Sequence, residues 1–174
     1  RGARGRRGVG TAPRAVAARL ALREVHTSDI ALFFEQQRDP RCHWMAAFTP
    51  GAPEDWAGFA AHWHRLLSDP GVQKRAVLVD GEVAGHLLCF EQLGQREVSY
   101  WIDPAWRGQR VASTALGQFL AEIDERPLHA RVARDHLGSL RVLQRNGFAV
   151  CREGRGYSAV RGGEIGELIL RLGA

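Results

Sequence analysis

Residues 97–123 impose the tightest constraint on the fold: an alternating strand stops at Pro104, crosses a short turn and enters an amphipathic helix. Glu97, Ser99, Trp101 and Asp103 share one face of the strand, and Val98, Tyr100 and Ile102 share the other. In the helix, Val111, Ala115, Phe119 and Ile123 form one row and Ala112, Leu116 and Leu120 the next, with Pro127 marking the end. The turn between them carries Arg107, Gly108, Gln109 and Arg110. Such a turn aims unpaired N–H groups and the positive end of a helix dipole at one point, which makes an anion site. On these residues alone the site suits any phosphate, and a plain strand-to-helix turn with two exposed arginines reads the same way.

The rest of the chain alternates in the same manner. Leu20, Leu22 and Val25 mark a strand, and Thr27 or Ser28 caps a helix to about Arg38. Pro53, Glu54 and Asp55 open a second helix, in which Trp56, Phe59, Ala60, Trp63 and Leu67 recur at helical steps until Pro70-Gly71. Apolar strands over 75–79 and 82–90 flank Asp80-Gly81, a pair suited to a type I′ hairpin turn, and belong inside a sheet covered on both faces. A strand over 128–134 leads to a helix capped by Asp135 and running to Arg145, with Gly147 in the left-handed position after it. Strands over 148–152 and 165–172 close the chain around a glycine-rich loop, 154–163.

Composition narrows the class. With 174 residues, 45% apolar and 25% charged, the chain suits one α/β domain that buries about 70% of its unfolded surface. The net charge of +5 sits in residues 1–18, which hold Arg1, Arg4, Arg6, Arg7, Arg14 and no acid, so the remainder is balanced. Nucleic-acid binding by the folded body is therefore not expected. The Arg/Gly-rich segment 1–18 lacks apolar periodicity and is expected to be mobile, and residues 19–174 form the domain. Cys42, Cys89 and Cys151 are widely spaced, and His62 and His64 point to different sides of a helix, so neither a disulfide framework nor a metal site is expected. No apolar run suits a bilayer or an export signal, which points to the cytoplasm and away from membranes.

A second unit follows the first in register: Ala133-Arg134-Asp135-His136-Leu137-Gly138-Ser139, then Asn146-Gly147-Phe148. Together the two resemble the GNAT superfamily of acyl-CoA-dependent N-acyltransferases. The first is similar to its R/Q-x-x-G-x-G/A pyrophosphate loop and the second to its D-N-x-x-S…G-F unit. The opening Arg19-Leu20-Ala21-Leu22-Arg23 with Asp29 resembles the branch of ribosomal-protein N-terminal alanine acetyltransferases. The resemblance implies a GNAT-like fold of class α/β (α+β): one domain with a mixed central sheet of about six to seven strands and helices on both faces.

It also implies acetyl-CoA as co-substrate, no metal, and direct transfer of acetyl to a primary amine, on a peptide N-terminus or a small molecule, within a ternary complex. A non-catalytic acyl-CoA sensor or RNA-associated accessory protein is the alternative, and a homodimer through an edge or last strand is compatible with the family. Arg107, Gly108, Gln109, Arg110, Val111, Ala112 and Ser113 would hold the CoA pyrophosphate, with Arg110 standing where the family has its middle glycine. Trp101 and Ile102 would offer backbone groups to the pantetheine arm and polarise the thioester carbonyl. Glu97 is the candidate base, acting through water, and equally reads as a surface strand glutamate. Leu143 stands where the family often has a tyrosine acid, which leaves Ser139 beside the CoA sulfur; His136 either contacts pantetheine or merely ends the strand. Trp44, Phe48, Trp56, Trp63 and Tyr157 would lie near the acceptor groove, although aromatics at helical spacing also read as core.

Overall fold

A computed structural model describes residues 19–49 and 52–173; the segment 1–18 lies outside the described residues. Thirteen elements follow in order: β1 (Leu20–Arg23), α1 (Asp29–Gln37), α2 (Pro40–Ala46), α3 (Trp56–Ser68), β2 (Gln73–Val79), β3 (Glu82–Gln92), β4 (Gln95–Ile102), a 3-10 turn (Pro104–Trp106), α4 (Val111–Leu120), β5 (Leu128–Ala133), α5 (Leu137–Arg145), β6 (Ala149–Ser158) and β7 (Gly163–Leu172). The strands make one seven-stranded sheet in the order β1-β2-β3-β4-β5-β7-β6. Every neighbouring pair is antiparallel except β4 and β5, which are parallel and share the single register pair Glu97↔His129.

Strand alternation splits the core in two. Val77, Leu87, Cys89 and Val98 meet Val111, Ala115, Leu116 and Phe119 of α4 and Leu143 of α5 on one face. Ala76 and Leu88 meet Ile30 and Phe33 of α1 and Trp63 of α3 on the other. The Asp80-Gly81 turn has positive φ at both residues (51° and 88°), as a type I′ hairpin needs. Lys74, the only lysine of the chain, donates to the carbonyls of Leu66, Asp69 and Val72 at 2.7, 2.9 and 3.0 Å and so joins the end of α3 to β2.

Several local expectations change. Residues 154–158 and 163, read as loop, belong to β6 and β7, which form a long hairpin. Glycine-rich sequence hides strands here because β7 supplies the pairing that the β6 side chains do not. Ser28 occupies the N-cap of α1 without a side-chain bond; Asp29 accepts instead from the His26 N–H at 2.8 Å and from the Arg23 guanidinium. Asp135 does not cap α5, because its carboxylate is held by Arg161 at 2.8 and 3.1 Å, and His136 takes the N-cap position. Helix α4 stops at Leu120, where Arg126 donates to the freed carbonyls of Leu120 and Ile123. Helix α2, absent from the sequence reading, begins with Pro40 after an Asp39 cap whose carboxylate accepts from Arg41 N–H at 2.9 Å.

Candidate active site

The single bridge between β4 and β5 opens the sheet. Beyond Glu97↔His129 the two strands diverge, and a cavity of about 1060 Å3 occupies the gap and continues over both faces. Gly85 lets β3 pair tightly with the end of β4, because a Cβ there would stand 2.0 Å from the Trp101 carbonyl oxygen. No side chain other than glycine lets β3 approach the end of β4 so closely.

On the α4–α5 side the wall includes Arg107, Gly108, Arg110, Val111, Ala112 and Ser113. Gly108 and Arg110 both hold left-handed φ (76° and 60°), so Arg110 keeps the backbone shape of a glycine despite its side chain. Helix α4 has no side-chain cap and no acid in its first turn, which leaves its N–H groups available to an anion beside two guanidinium groups. Gln109 does not line the cavity; its side-chain amide turns back to the Ala105 carbonyl at 3.4 Å. Ser113 is braced by Asn146, which donates to its carbonyl at 3.1 Å and ties α4 to the end of α5.

His136, Ser139, Trp101 and Ile102 also line the gap. Burial, with the Arg107 charge next, pushes the His136 imidazole below its usual range. Tyr100, which sequence alternation places opposite Glu97 and Trp101, hydrogen-bonds its hydroxyl to Ser139 Oγ at 2.7 Å. Burial pushes that phenol up to about 12. Leu143 is fully buried in the core, so Tyr100 is the tyrosine that this wall presents. Its strand position, with no helix motif around it, gave no signal.

On the opposite side Glu97 is buried at 4% exposure and is not part of the cavity wall. Arg131 stands in the wall in its place, donating to Glu97 at 2.8 Å and to Glu167 at 3.3 Å. One guanidinium between two carboxylates leaves a net negative cluster just behind the cavity. A charged residue inside the apolar strand Leu-His-Ala-Arg-Val-Ala was the available signal for Arg131. Farther along, His86 packs edge-on to Trp63 at 4.7 Å and tilted against Phe33 at 4.7 Å, and His43 lies 5.9 Å from Trp101. Burial drives His86 down to about 3, so it is neutral at ordinary pH. Its Nδ1 and the Trp101 Nε1 are both buried without a protein partner among the described residues.

Helix α2 closes this side. Cys42 accepts from Arg107 Nη2 at 3.0 Å, and burial pushes the Cys42 thiol up. Phe48 and Trp63 line the cavity; Trp44, Trp56 and Tyr157 do not and are exposed. Trp44 instead lies under Arg161, whose guanidinium carbon is 5.3 Å from the ring centre. Among the described residues there is no cluster of side chains able to hold a metal and no helix long and apolar enough to cross a membrane.

The family model of the acetyltransferase (GNAT) domain matches residues 19–149. The L-amino acid N-acetyltransferase AaaT of Escherichia coli (strain K12) is 27% identical over 112 residues, covering 59% of this chain and 68% of that protein. Mycobacterium smegmatis RimJ in complex with CoA-disulfide matches the fold with a TM-score of 0.73 at 20% identity, covering 89% of this chain and 82% of that one. The ribosomal-protein-S5-alanine acetyltransferase of Vibrio fischeri matches with a TM-score of 0.69 at 16% identity, covering 87% and 91%.

Proposed function

The chain belongs to the GNAT acetyltransferase family and is an acetyl-CoA-dependent N-acetyltransferase; on that premise we propose that its acceptor is a primary amine and that its residues divide the reaction as follows. The observation that carries the assignment is the one-bridge opening between β4 and β5 with the uncapped start of α4 at its mouth. Acetyl-CoA supplies the activated acyl group. Its pyrophosphate rests on the backbone of Arg107, Gly108, Gln109, Arg110, Val111, Ala112 and Ser113, with the Arg107 and Arg110 side chains adding charge. Its pantetheine arm follows the free edge of Trp101 and Ile102 on one side and His136 on the other.

The acceptor nitrogen, neutral after giving a proton through water toward Glu97, attacks the thioester carbon. Backbone N–H groups of β4 stabilise the developing oxyanion, the C–S bond breaks, the departing sulfur takes a proton from Ser139, and the attacking nitrogen gives up its second proton, which restores the Ser139 hydroxyl. Tyr100 belongs to this reading as the group that orients the Ser139 hydroxyl, since the two oxygens are 2.7 Å apart. Arg131 holds the Glu97 carboxylate in position and separates it from the cavity, so the base works through water rather than by direct contact. Family membership favours this enzyme over a non-catalytic sensor. The cytoplasm is its proposed place of work, and a homodimer across the terminal β6 edge its proposed assembly.

Calorimetric titration with acetyl-CoA, paired with an assay for free CoA over a panel of amines, tests the reading. Binding of acetyl-CoA with amine-dependent release of CoA is expected. Absence of a thermal shift at millimolar acetyl-CoA would refute it, since a ligand bound to the folded state must stabilise it.

A further inference from the structure

Helix α2 carries much of one side of the cavity, through Cys42, His43, Met45 and Ala46, with Phe48 and Thr49 directly after it. A helix of seven residues is too short to be stable alone, so its place depends on what grips it. Near its start Arg107, which leads into α4, donates to Cys42 Sγ at 3.0 Å. Its end is gripped by the turn between β6 and β7. Ser158 Oγ donates to the Ala47 carbonyl at 2.5 Å and Arg161 Nε to the Trp44 carbonyl at 2.9 Å, one of those a helix end leaves without an internal partner. Ala47 holds a φ of 62° although it is not glycine, a conformation that persists only where neighbours fix it. Since α4 follows β4 and the turn belongs to the β5-β7-β6 half, α2 links the two halves of the sheet across the opening.

Arg161 also reaches the opposite wall. With Nη1 and Nη2 it holds both oxygens of Asp135 at 2.8 and 3.1 Å, and Asp135 precedes the stretch from His136 to Ser139 on the pantetheine side. A guanidinium suits this task because its planar fork takes a carboxylate with two nitrogens and keeps the third for a carbonyl. Its side chain is 9% exposed, and Arg161, Trp44 and Asp135 all stand outside the cavity wall. We propose that Arg161 is a positioning residue for acetyl transfer: by holding Trp44 and Asp135 at once, it fixes the span between the α2 wall, where the amine enters, and the Ser139 wall, where the sulfur departs. The inference rests on the acetyltransferase reading above and adds to it a residue that acts through its neighbours. Misplacing reacting atoms by about 1 Å costs up to about 100-fold in rate, so a loosened span shows in kcat while binding at the pyrophosphate loop is untouched.

The full chain carrying Cys151→Ser, which removes the exposed thiol, leaves Cys42 on α2 and Cys89 in β3 as two buried reporters. Labelling by dithionitrobenzoate without acetyl-CoA follows local opening; in Arg161→Leu it should run about tenfold faster at Cys42 and stay unchanged at Cys89. Acetyl-CoA affinity by calorimetry should stay within about twofold. The free-CoA assay takes phenylalanine, an N-terminal alanine peptide and spermidine as probes. For the amines that the wild type uses, kcat should fall by about 10- to 100-fold with little change in KM. Arg161→Lys, a point charge without the fork, should recover only part of the loss. Asp135→Asn alters an exposed carboxylate and so spares the fold. It should lower kcat several-fold by itself and no further on top of Arg161→Leu, because both act through one contact. Faster labelling of Cys89 in step with Cys42, an unchanged kcat, or additive losses in the double variant would each overturn the inference and leave the enzyme reading standing. Bound acetyl-CoA with no release of CoA by the wild type for any probe would overturn the reading and the inference together.

Discussion

The α4–α5 face of the sheet takes its site from two short stretches, residues 106–113 and 136–145, with Tyr100 to Ile102 beside them, whereas the α1–α3 face gathers His43, Trp63, His86, Ser99, Arg131 and Glu167 from α2, α3, β3, β4, β5 and β7. The first face binds with backbone: N–H groups at a helix start need only the right turn, and side chains add charge. The second binds with side chains that only the finished fold brings together. It is also the face that buries ionisable groups, among them Asp29, His43, His86, Glu97 and Glu167. A site made from backbone tolerates substitution, and a site made from buried polar side chains does not.

That contrast can be broken at Arg131. Replacing it with methionine would leave Glu97 and Glu167 buried without their shared cation, and urea unfolding should then show a loss of about 3–5 kcal/mol. A loss below about 1 kcal/mol would mean that water already reaches these carboxylates, since exposed pairs contribute no more than that. Next in size, Glu97→Gln should lower kcat/KM by about 100-fold with acetyl-CoA affinity retained. The deficit should shrink as pH rises and the free α-amine fraction grows near its pKa of about 8. A wild-type rate across the pH range would transfer the role of base to a water held by backbone carbonyls.

His86 sharpens the comparison through pH. Its folded-state value of about 3 lies below the ordinary 6.5. The unfolded chain therefore takes up a proton that the folded chain refuses, and stability falls as pH drops from 6.5 toward 3. His86→Phe should flatten that limb by about 2 kcal/mol between pH 6.5 and 5, measured as unfolding free energy against pH. An unchanged slope would assign the acid sensitivity to other groups. Smallest is Arg110→Gly. Releasing a non-glycine residue from left-handed φ should stabilise the protein by up to about 1 kcal/mol, offset in part by the freer unfolded chain. Acetyl-CoA affinity should weaken a few-fold and become less dependent on salt as one cation leaves. Tighter binding by the variant would show that the Arg110 side chain crowds the phosphates.

The same division explains what could be read before any coordinates. The strand, turn and helix over 97–120, the Asp80-Gly81 hairpin and the helix after Asp135 were legible because each is specified by neighbours in sequence. Helix α2 was not, since seven residues centred on His43 carry too little periodicity to stand out. The β6–β7 hairpin was read short because its strand character comes from pairing with β7 rather than from its own side chains. Arg110 was readable as a departure from the family's middle glycine, but only its φ of 60° shows that the turn keeps its shape around it. Glu97 could be singled out from its place on the strand face, but its partner Arg131 lies 34 positions away and no periodicity joins them.

One feature of the sheet acts as mechanics rather than chemistry. Strands β1 to β4 form one antiparallel half and β5, β7 and β6 another, and the seam between the halves is stitched at one place. A sheet bonded along its whole width resists shear and twist as a plate; this one resists them as two plates joined at a pivot. Small rotations about Glu97 and His129 are multiplied along β4 into changes of slot width at Trp101 and Ile102. The aperture of the site thus lies where the sheet has its fewest backbone bonds, and a molecule seated in the slot stands as a spacer between the two halves.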